Sequence, residues 1–232
     1  MPHLLSIIVP VYNEAPTVAA VVERLQTIDL PVQREILVVN DGSTDGTRTV
    51  LDRLPANPNV LRVIHAPVNC GKGSAVRIGL REARGSIVAI QDADLELDPA
   101  ELASLVQPIL DGVAVAVYGS RFLAGRPNAP RLTIAANRFL TGLTNLLFRS
   151  TLTDMETCYK LMRTDVARGL SLVSNRFDIE PEITAKLLRQ GHSIVERAVR
   201  FEPRSRGQGK KIRWRDGLRA VQVLIACRLS RG

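Results

Sequence analysis

Apolar runs and helical patterning alternate through the first half of the chain. Leu4 to Val11 is almost continuous in Leu, Ile and Val, the pattern of a parallel strand covered on both faces. Shorter runs at residues 35–40, 59–65, 86–90 and 113–118 predict four more strands. Between them, Val18, Val21, Val22 and Leu25 recur at helical spacing behind Pro16, which predicts a helix to about Ile28. Further helices are predicted at residues 48–54, from the glycine-punctuated turn 69–74 to about Ala83, and from Pro99 to about Leu110. Strands alternating with helices at this spacing predict an α/β fold with a mainly parallel sheet and helices on both faces.

Beyond Gly119-Ser120-Arg121 the alternation stops. Residues 131–149 read as a helix with apolar side chains around much of its circumference and Arg at both ends. Residues 154–163 form a mixed segment without an assigned element. Asp178-Ile179-Glu180-Pro181-Glu182 leads a helix to about Gln190, with Gly191 as its stop. A late strand at 193–201, a basic stretch at 203–211 and a helix at 214–229 complete the reading. The expected organisation is a main domain over 1–212, with a basic amphipathic helix in 213–232 packed on it or on a membrane surface.

With 232 residues, 45% of them hydrophobic, the chain can bury the core of one large α/β domain. Its net charge of +8 is local: residues 197–232 hold eleven Lys and Arg against Glu202 and Asp216, and the first 196 residues sum to −1. Such a surface suits nucleic acid, anionic lipid heads or phosphorylated substrates. Cys70, Cys158 and Cys227 have no close Cys or His partner, which excludes a disulfide framework and a zinc site. His3, His65 and His192 are isolated and receive no role. With no basic-then-apolar leader and no apolar run near the roughly 18 residues of a membrane span, the expectation is a cytoplasmic protein, soluble or peripheral on the inner face of the membrane.

In parallel sheets ligands bind outside the carboxyl ends of the strands, so the strand exits carry the chemistry. The exits place Tyr12, Glu14, Asp41, Lys72 and the acidic stretch Gln91-Asp92-Ala93-Asp94-Leu95-Glu96-Leu97-Asp98 along one rim. Asp92, Asp94 and Glu96 offer three oxygen ligands for a hard divalent cation, unless this is only a solvated loop ahead of the helix starter Asp98-Pro99. A P-loop is excluded because Ala66 stands where its first glycine belongs. A dinucleotide fingerprint is excluded by Pro10-Val11-Tyr12-Asn13-Glu14 after the first strand.

The ordered set Val9-Pro10-Val11-Tyr12-Asn13-Glu14, Val39-Asn40-Asp41-Gly42-Ser43-Thr44-Asp45-Gly46-Thr47, Asn69-Cys70-Gly71-Lys72-Gly73, Gln91 to Glu96 and Gly119-Ser120-Arg121 resembles the family 2 glycosyltransferases of the GT-A fold. Within them it resembles the dolichyl- and polyprenyl-phosphate mannose and glucose synthases. The resemblance implies a Rossmann-like GT-A domain, a nucleotide-sugar donor and Mg²⁺ or Mn²⁺. It implies that Pro10, Tyr12 and Glu14 line the nucleoside end, that Asp41 contacts the base, and that Lys72 and Gln91 join the donor site. Asp92, Asp94 and Glu96 would surround the cation. Glu96 departs from the Gln common in this branch. Pro10 as a strand end and Asp41 as a helix cap remain the structural alternatives.

The acceptor decides between chemistries. A hydroxyl acceptor needs a base, for which Asp154 is the candidate, whereas a phosphate monoester is already ionised and needs cations to position it. The resemblance implies that Arg121 and Arg131 grip an acceptor phosphate, with Arg204, Arg206, Lys210 and Lys211 in a loop closing over the diphosphate. The Ser-Lys often found in that loop reads Gly209-Lys210 here. Residues 131–149 and 212–229, the latter with Trp214, pair apolar faces with Arg, which suits either an anionic membrane surface or a buried or oligomeric contact. A nucleic-acid binder on this fold is disfavoured, since only Phe201 and Trp214 accompany the basic loop.

Overall fold

The computed structural model describes residues 3–55, 57, 60–203 and 214–230. Seven strands form one sheet: β1 Leu4–Val11, β2 Gln33–Asp41, β3 Leu61–Ala66, β4 Ile87–Ile90, β5 Ala116–Ser120, β6 Lys160–Arg163 and β7 Ile194–Ala198. Their order across the sheet is β3-β2-β1-β4-β6-β5-β7. The β3-β2-β1-β4 half is parallel, β6 runs antiparallel to both β4 and β5, and β7 pairs parallel with β5.

Alternation along the strands divides the core into two layers. Leu5, Ile7 and Val9 of β1 face α1 (Val18–Thr27) and α4 (Leu102–Leu110), whereas Ile8 joins α3 (Lys72–Glu82) and α7 (Ile179–Arg189). Both faces are covered, so β1 needs apolar side chains at nearly every position. A third cluster joins Leu140 of α5 (Arg131–Phe148), Ala185 of α7, and Ala220, Leu224 and Cys227 of α8 (Trp214–Leu229). The short helices α2 (Thr47–Asp52) and α6 (Thr164–Gly169) complete the set.

The structure departs from the sequence reading in three places. The fifth strand begins at Ala116 rather than near Val113: Val113 is exposed, and the Val113 and Ala114 amides both donate to the Pro108 carbonyl, closing the end of α4. The unassigned segment 154–163 supplies β6 in its last four residues. Helix α6 was not expected. At Asp98 the expectation of a helix start holds, because its carboxylate accepts from the Ala100 amide at 3.1 Å and opens a 3-10 turn ahead of α4.

Candidate active site

The exits of β1 and β2 are laced together by short polar side chains. Asn13, in the left-handed region at φ 53°, accepts from the Thr44 amide at 2.8 Å, and its own amide donates to Ser43 Oγ at 3.0 Å. The Glu14 amide donates to Thr47 Oγ1 at 2.9 Å. The Thr17 hydroxyl lies 2.9 Å from Glu14 Oε2 and 2.7 Å from the Ala93 carbonyl, which joins the first motif to the acidic loop.

Asp41 is buried and holds the turn before α3. Its carboxylate accepts from the Cys70 amide at 2.9 Å, the Gly71 amide at 2.7 Å and Asn69 Nδ2 at 2.9 Å. It therefore caps no helix of its own and instead sets the entry to α3. Gly71 has φ 101°, and a Cβ there would lie 2.5 Å from the Asn175 carbonyl oxygen, so the turn presses directly on the segment before α7. This packing delivers Lys72 to the acidic loop.

Lys72 Nζ lies 2.7 Å from Asp92 Oδ1 and 2.9 Å from Glu180 Oε1. The other Glu180 oxygen is 2.6 Å from Nζ of Lys160, which is wholly buried and also donates to the Met155 and Thr157 carbonyls. Asp92, Lys72, Glu180 and Lys160 thus alternate in sign and sum to zero. Burial opposes the charge on Lys72, but the two carboxylates outweigh it and raise its pKa above the ordinary lysine value. Burial likewise opposes the Asp92 anion, yet Lys72 beside it holds its carboxyl below the usual range. Burial keeps Cys158 a thiol, hydrogen-bonded to Asp92. Sequence reasoning missed Glu180 and Lys160; the acid-rich start of α7 was the available signal.

The acidic loop turns sharply at Leu95, whose φ is 61°. Asp94 Oδ1 accepts from the Glu96 amide at 3.2 Å. Among the described residues no three His, Cys, Asp or Glu side chains are gathered as a metal cluster, so Asp92, Asp94 and Glu96 are not preassembled. Carboxylates at every second residue share a face only on extended chain, and the left-handed Leu95 breaks that alternation. The donor set nonetheless fits a hard cation, since such cations often take one or two carboxylates and complete their shell with phosphate and water. Gln91 is wholly buried: its Oε1 lies 2.6 Å from the Tyr159 hydroxyl, and its Nε2 donates to the Asp92 carbonyl. It supports the loop from beneath.

Arg121, at the exit of β5, makes a bidentate pair with the buried Asp154, Nε to Oδ2 at 2.7 Å and Nη2 to Oδ1 at 2.8 Å. Asp154 also accepts from the Arg121 amide at 3.0 Å and Asn137 Nδ2 at 3.2 Å. The guanidinium lies 5.2 Å from the Phe201 ring centroid. Glu196 of β7 accepts from the Thr153 and Asp154 amides at 2.8 and 3.0 Å and fixes this turn. With both oxygens engaged by donors, Asp154 is a tether for Arg121, and the role of base foreseen for it has no geometric support. Pro10 and Tyr12 are half-buried at the rim, and Arg131 is exposed at the start of α5. Arg204, Arg206, Lys210 and Lys211 lie outside the described residues, as does the Trp214 side chain.

The fold recurs in solved structures. Glucosyl-3-phosphoglycerate synthase from Mycobacterium tuberculosis, crystallised with Mn²⁺, UDP-glucose and phosphoglyceric acid, superposes with TM-score 0.72 at 20% identity, over 99% of this chain and 81% of that one. The architecture is that of the GT-A glycosyltransferases. The profile of Glycosyl transferase family 2 matches residues 6–170, and the chain belongs to that family of enzymes.

Among its relatives, the glycosyltransferase AglD of Haloferax volcanii is 31% identical over 86% of this chain and 33% of its own length. Polyprenol monophosphomannose synthase of Mycolicibacterium smegmatis is 29% identical over 88% of this chain and 79% of its own. Dolichol-phosphate mannosyltransferase of Pyrococcus furiosus is 30% identical over 88% of this chain and 58% of its own. The chain thus spans only a third of the Haloferax protein and little more than half of the Pyrococcus one.

Proposed function

We propose that this domain transfers a hexose from a nucleotide sugar to a polyprenyl phosphate with inversion at the anomeric carbon. The observation that carries the acceptor half is the tethered Arg121, a cation fixed by Asp154 close to α5. That helix leaves Leu132, Phe139 and Leu146 exposed, one on every second turn, beside the exposed Arg131, Arg138 and Arg149. An apolar stripe edged with arginine suits a lipid surface with anionic heads, and α8 adds exposed Leu218, Ile225 and Leu229. No helix among the described residues is long and apolar enough to cross a membrane.

In this reading Pro10, Tyr12 and Glu14 line the nucleoside and Asp41 shapes the base end through the turn it holds. Asp92 and Asp94 hold Mg²⁺ or Mn²⁺, with Glu96 as a third ligand. The bound cation supplies positive charge to the departing diphosphate. Lys72, already beside Asp92, would add its charge to the same phosphates. Arg121 and Arg131 orient the acceptor phosphate, whose oxygen bonds to the anomeric carbon as the bond to the nucleoside diphosphate breaks. The phosphate is ionised beforehand, so no base is required.

The test is incubation with GDP- and UDP-hexoses, Mg²⁺ or Mn²⁺ and a short polyprenyl phosphate, followed by mass analysis. A hexosyl-phosphoryl-prenol with release of nucleoside diphosphate is expected; products formed only on hydroxyl acceptors would overturn the reading. Flotation with vesicles containing anionic phospholipid tests the lipid-facing helices, and absence of binding at low salt would refute that part.

A further inference from the structure

Glu156 is the one acidic side chain of this region that the anchors described so far leave unused. It sits in the middle of the turn 154–158, whose two ends are tied to different parts of the site. Asp154 is paired with Arg121, and the Cys158 thiol lies beside Asp92. The turn therefore spans the interval between the acceptor cation and the diphosphate anchor. In the hexosyl-transfer reading, a sugar passing between them would lie along it. Its other residues are committed to the protein: Thr157 Oγ1 donates to the Gly119 carbonyl at 2.6 Å, and the Met155 and Thr157 carbonyls take the Lys160 ammonium.

Charge accounting isolates the same residue. Asp92, Lys72, Glu180 and Lys160 neutralise one another, and Arg121 neutralises Asp154. Glu196 is spent on the Thr153 and Asp154 amides and Glu180 Oε1 has Lys72 at 2.9 Å, whereas Glu156 Oε1 is buried with neither a hydrogen-bond partner nor a paired cation among the described residues. A buried carboxyl oxygen left unpaired costs stability, and such a cost is retained where a ligand supplies the missing partner.

We propose that Glu156 reads the transferred hexose, accepting hydrogen bonds from its ring hydroxyls and so choosing which hexose the domain accepts. The inference rests on the hexosyl-transfer reading above and assigns the sugar-specificity contact within it. Charge-assisted bonds from hydroxyls to a desolvated carboxylate are strong and directional. A site built to bond one hydroxyl also rejects donors that lack it or present it in the other configuration, because its buried acceptor is then left unpaired. Burial, reinforced by Glu180 and offset by Lys160 and Arg121, raises the Glu156 pKa to about 7, so at neutral pH the carboxyl is divided between acid and anion, and hydroxyls donating to it favour the ionised form.

The test compares wild type, Glu156→Gln and Glu156→Ala by calorimetry with GDP or UDP alone, with the matching nucleotide hexose, and with its epimers and deoxy analogues. The metal is present and no acceptor is needed. The expected result is nucleoside diphosphate affinity within about twofold of wild type, together with a wild-type preference for one hydroxyl configuration, roughly tenfold to hundredfold for one hydrogen bond to a charged group, that Glu156→Ala loses. Glu156→Gln, which keeps an acceptor oxygen and the shape, should retain part of that preference. An unchanged preference in Glu156→Ala, or an equal loss for every ligand including the bare nucleotide, would overturn the assignment. If wild type binds the bare nucleotide and no nucleotide sugar, the hexosyl-transfer reading itself fails, an outcome visible before any variant is made.

Discussion

Replacing Asp154 with Asn separates a structural tether from a catalytic base. The side chain is wholly buried, and its oxygens receive the Arg121 guanidinium at 2.7 and 2.8 Å, the Arg121 amide at 3.0 Å and Asn137 at 3.2 Å. Asparagine preserves the volume, removes the charge and turns an NH₂ group towards the guanidinium. Breaking one side of a buried ion pair costs about 3–5 kcal/mol; Arg121 keeps 18% of its side chain in solvent, so the lower end applies. At about 2–4 °C per kcal/mol for a domain of this size, the melting temperature should fall by roughly 6–12 °C. Calorimetry paired with steady-state kinetics checks this, and the kinetic change should be a raised acceptor KM with nucleotide binding preserved. A variant that melts within a degree of wild type yet loses about 10³-fold in kcat would refute the tether and restore Asp154 as a base.

Three further outcomes follow from the geometry. The Glu156 carboxyl is raised from 4.5 to about 7 in the folded state, so between those pH values the native protein holds more proton than the unfolded chain, and stability falls as pH rises through that window. Glu156→Gln removes this loss, so in urea titrations it should gain up to about 3 kcal/mol on wild type at pH 8 relative to its standing at pH 4. Asp94→Ala should abolish metal-dependent turnover while circular dichroism and melting stay close to wild type; retained activity would refute its place in the cation site. Gly71→Ala forces a Cβ to within 2.5 Å of the Asn175 carbonyl oxygen at φ 101°, and should cost about 1–3 kcal/mol in denaturant titrations together with a raised donor KM.

The sequence by itself determined the parallel half of the sheet and the polar rim at its strand exits. Strands buried on both faces must be apolar nearly throughout, as β1 is, and their polar exits then stand out against them. Asp98 as a helix start was legible for the same local reason, since a cap bonds an amide only two residues away. Tertiary structure alone decided what the charges do. Lys160 is a charged residue in a four-residue strand, and nothing near it in sequence foretells its complete burial; the compensating Glu180 comes from α7, twenty residues on. Asp154 looks like a free base until the fold brings Arg121, 33 residues away, onto both its oxygens. Gln91 reads as part of a binding loop, and only the fold shows that Tyr159, 68 residues on, holds it there. Hydrophobic periodicity is a local property written along the chain. Whether a carboxylate binds a metal, tethers an arginine or waits for a sugar depends on the nearest opposite charge, and only the fold chooses that neighbour.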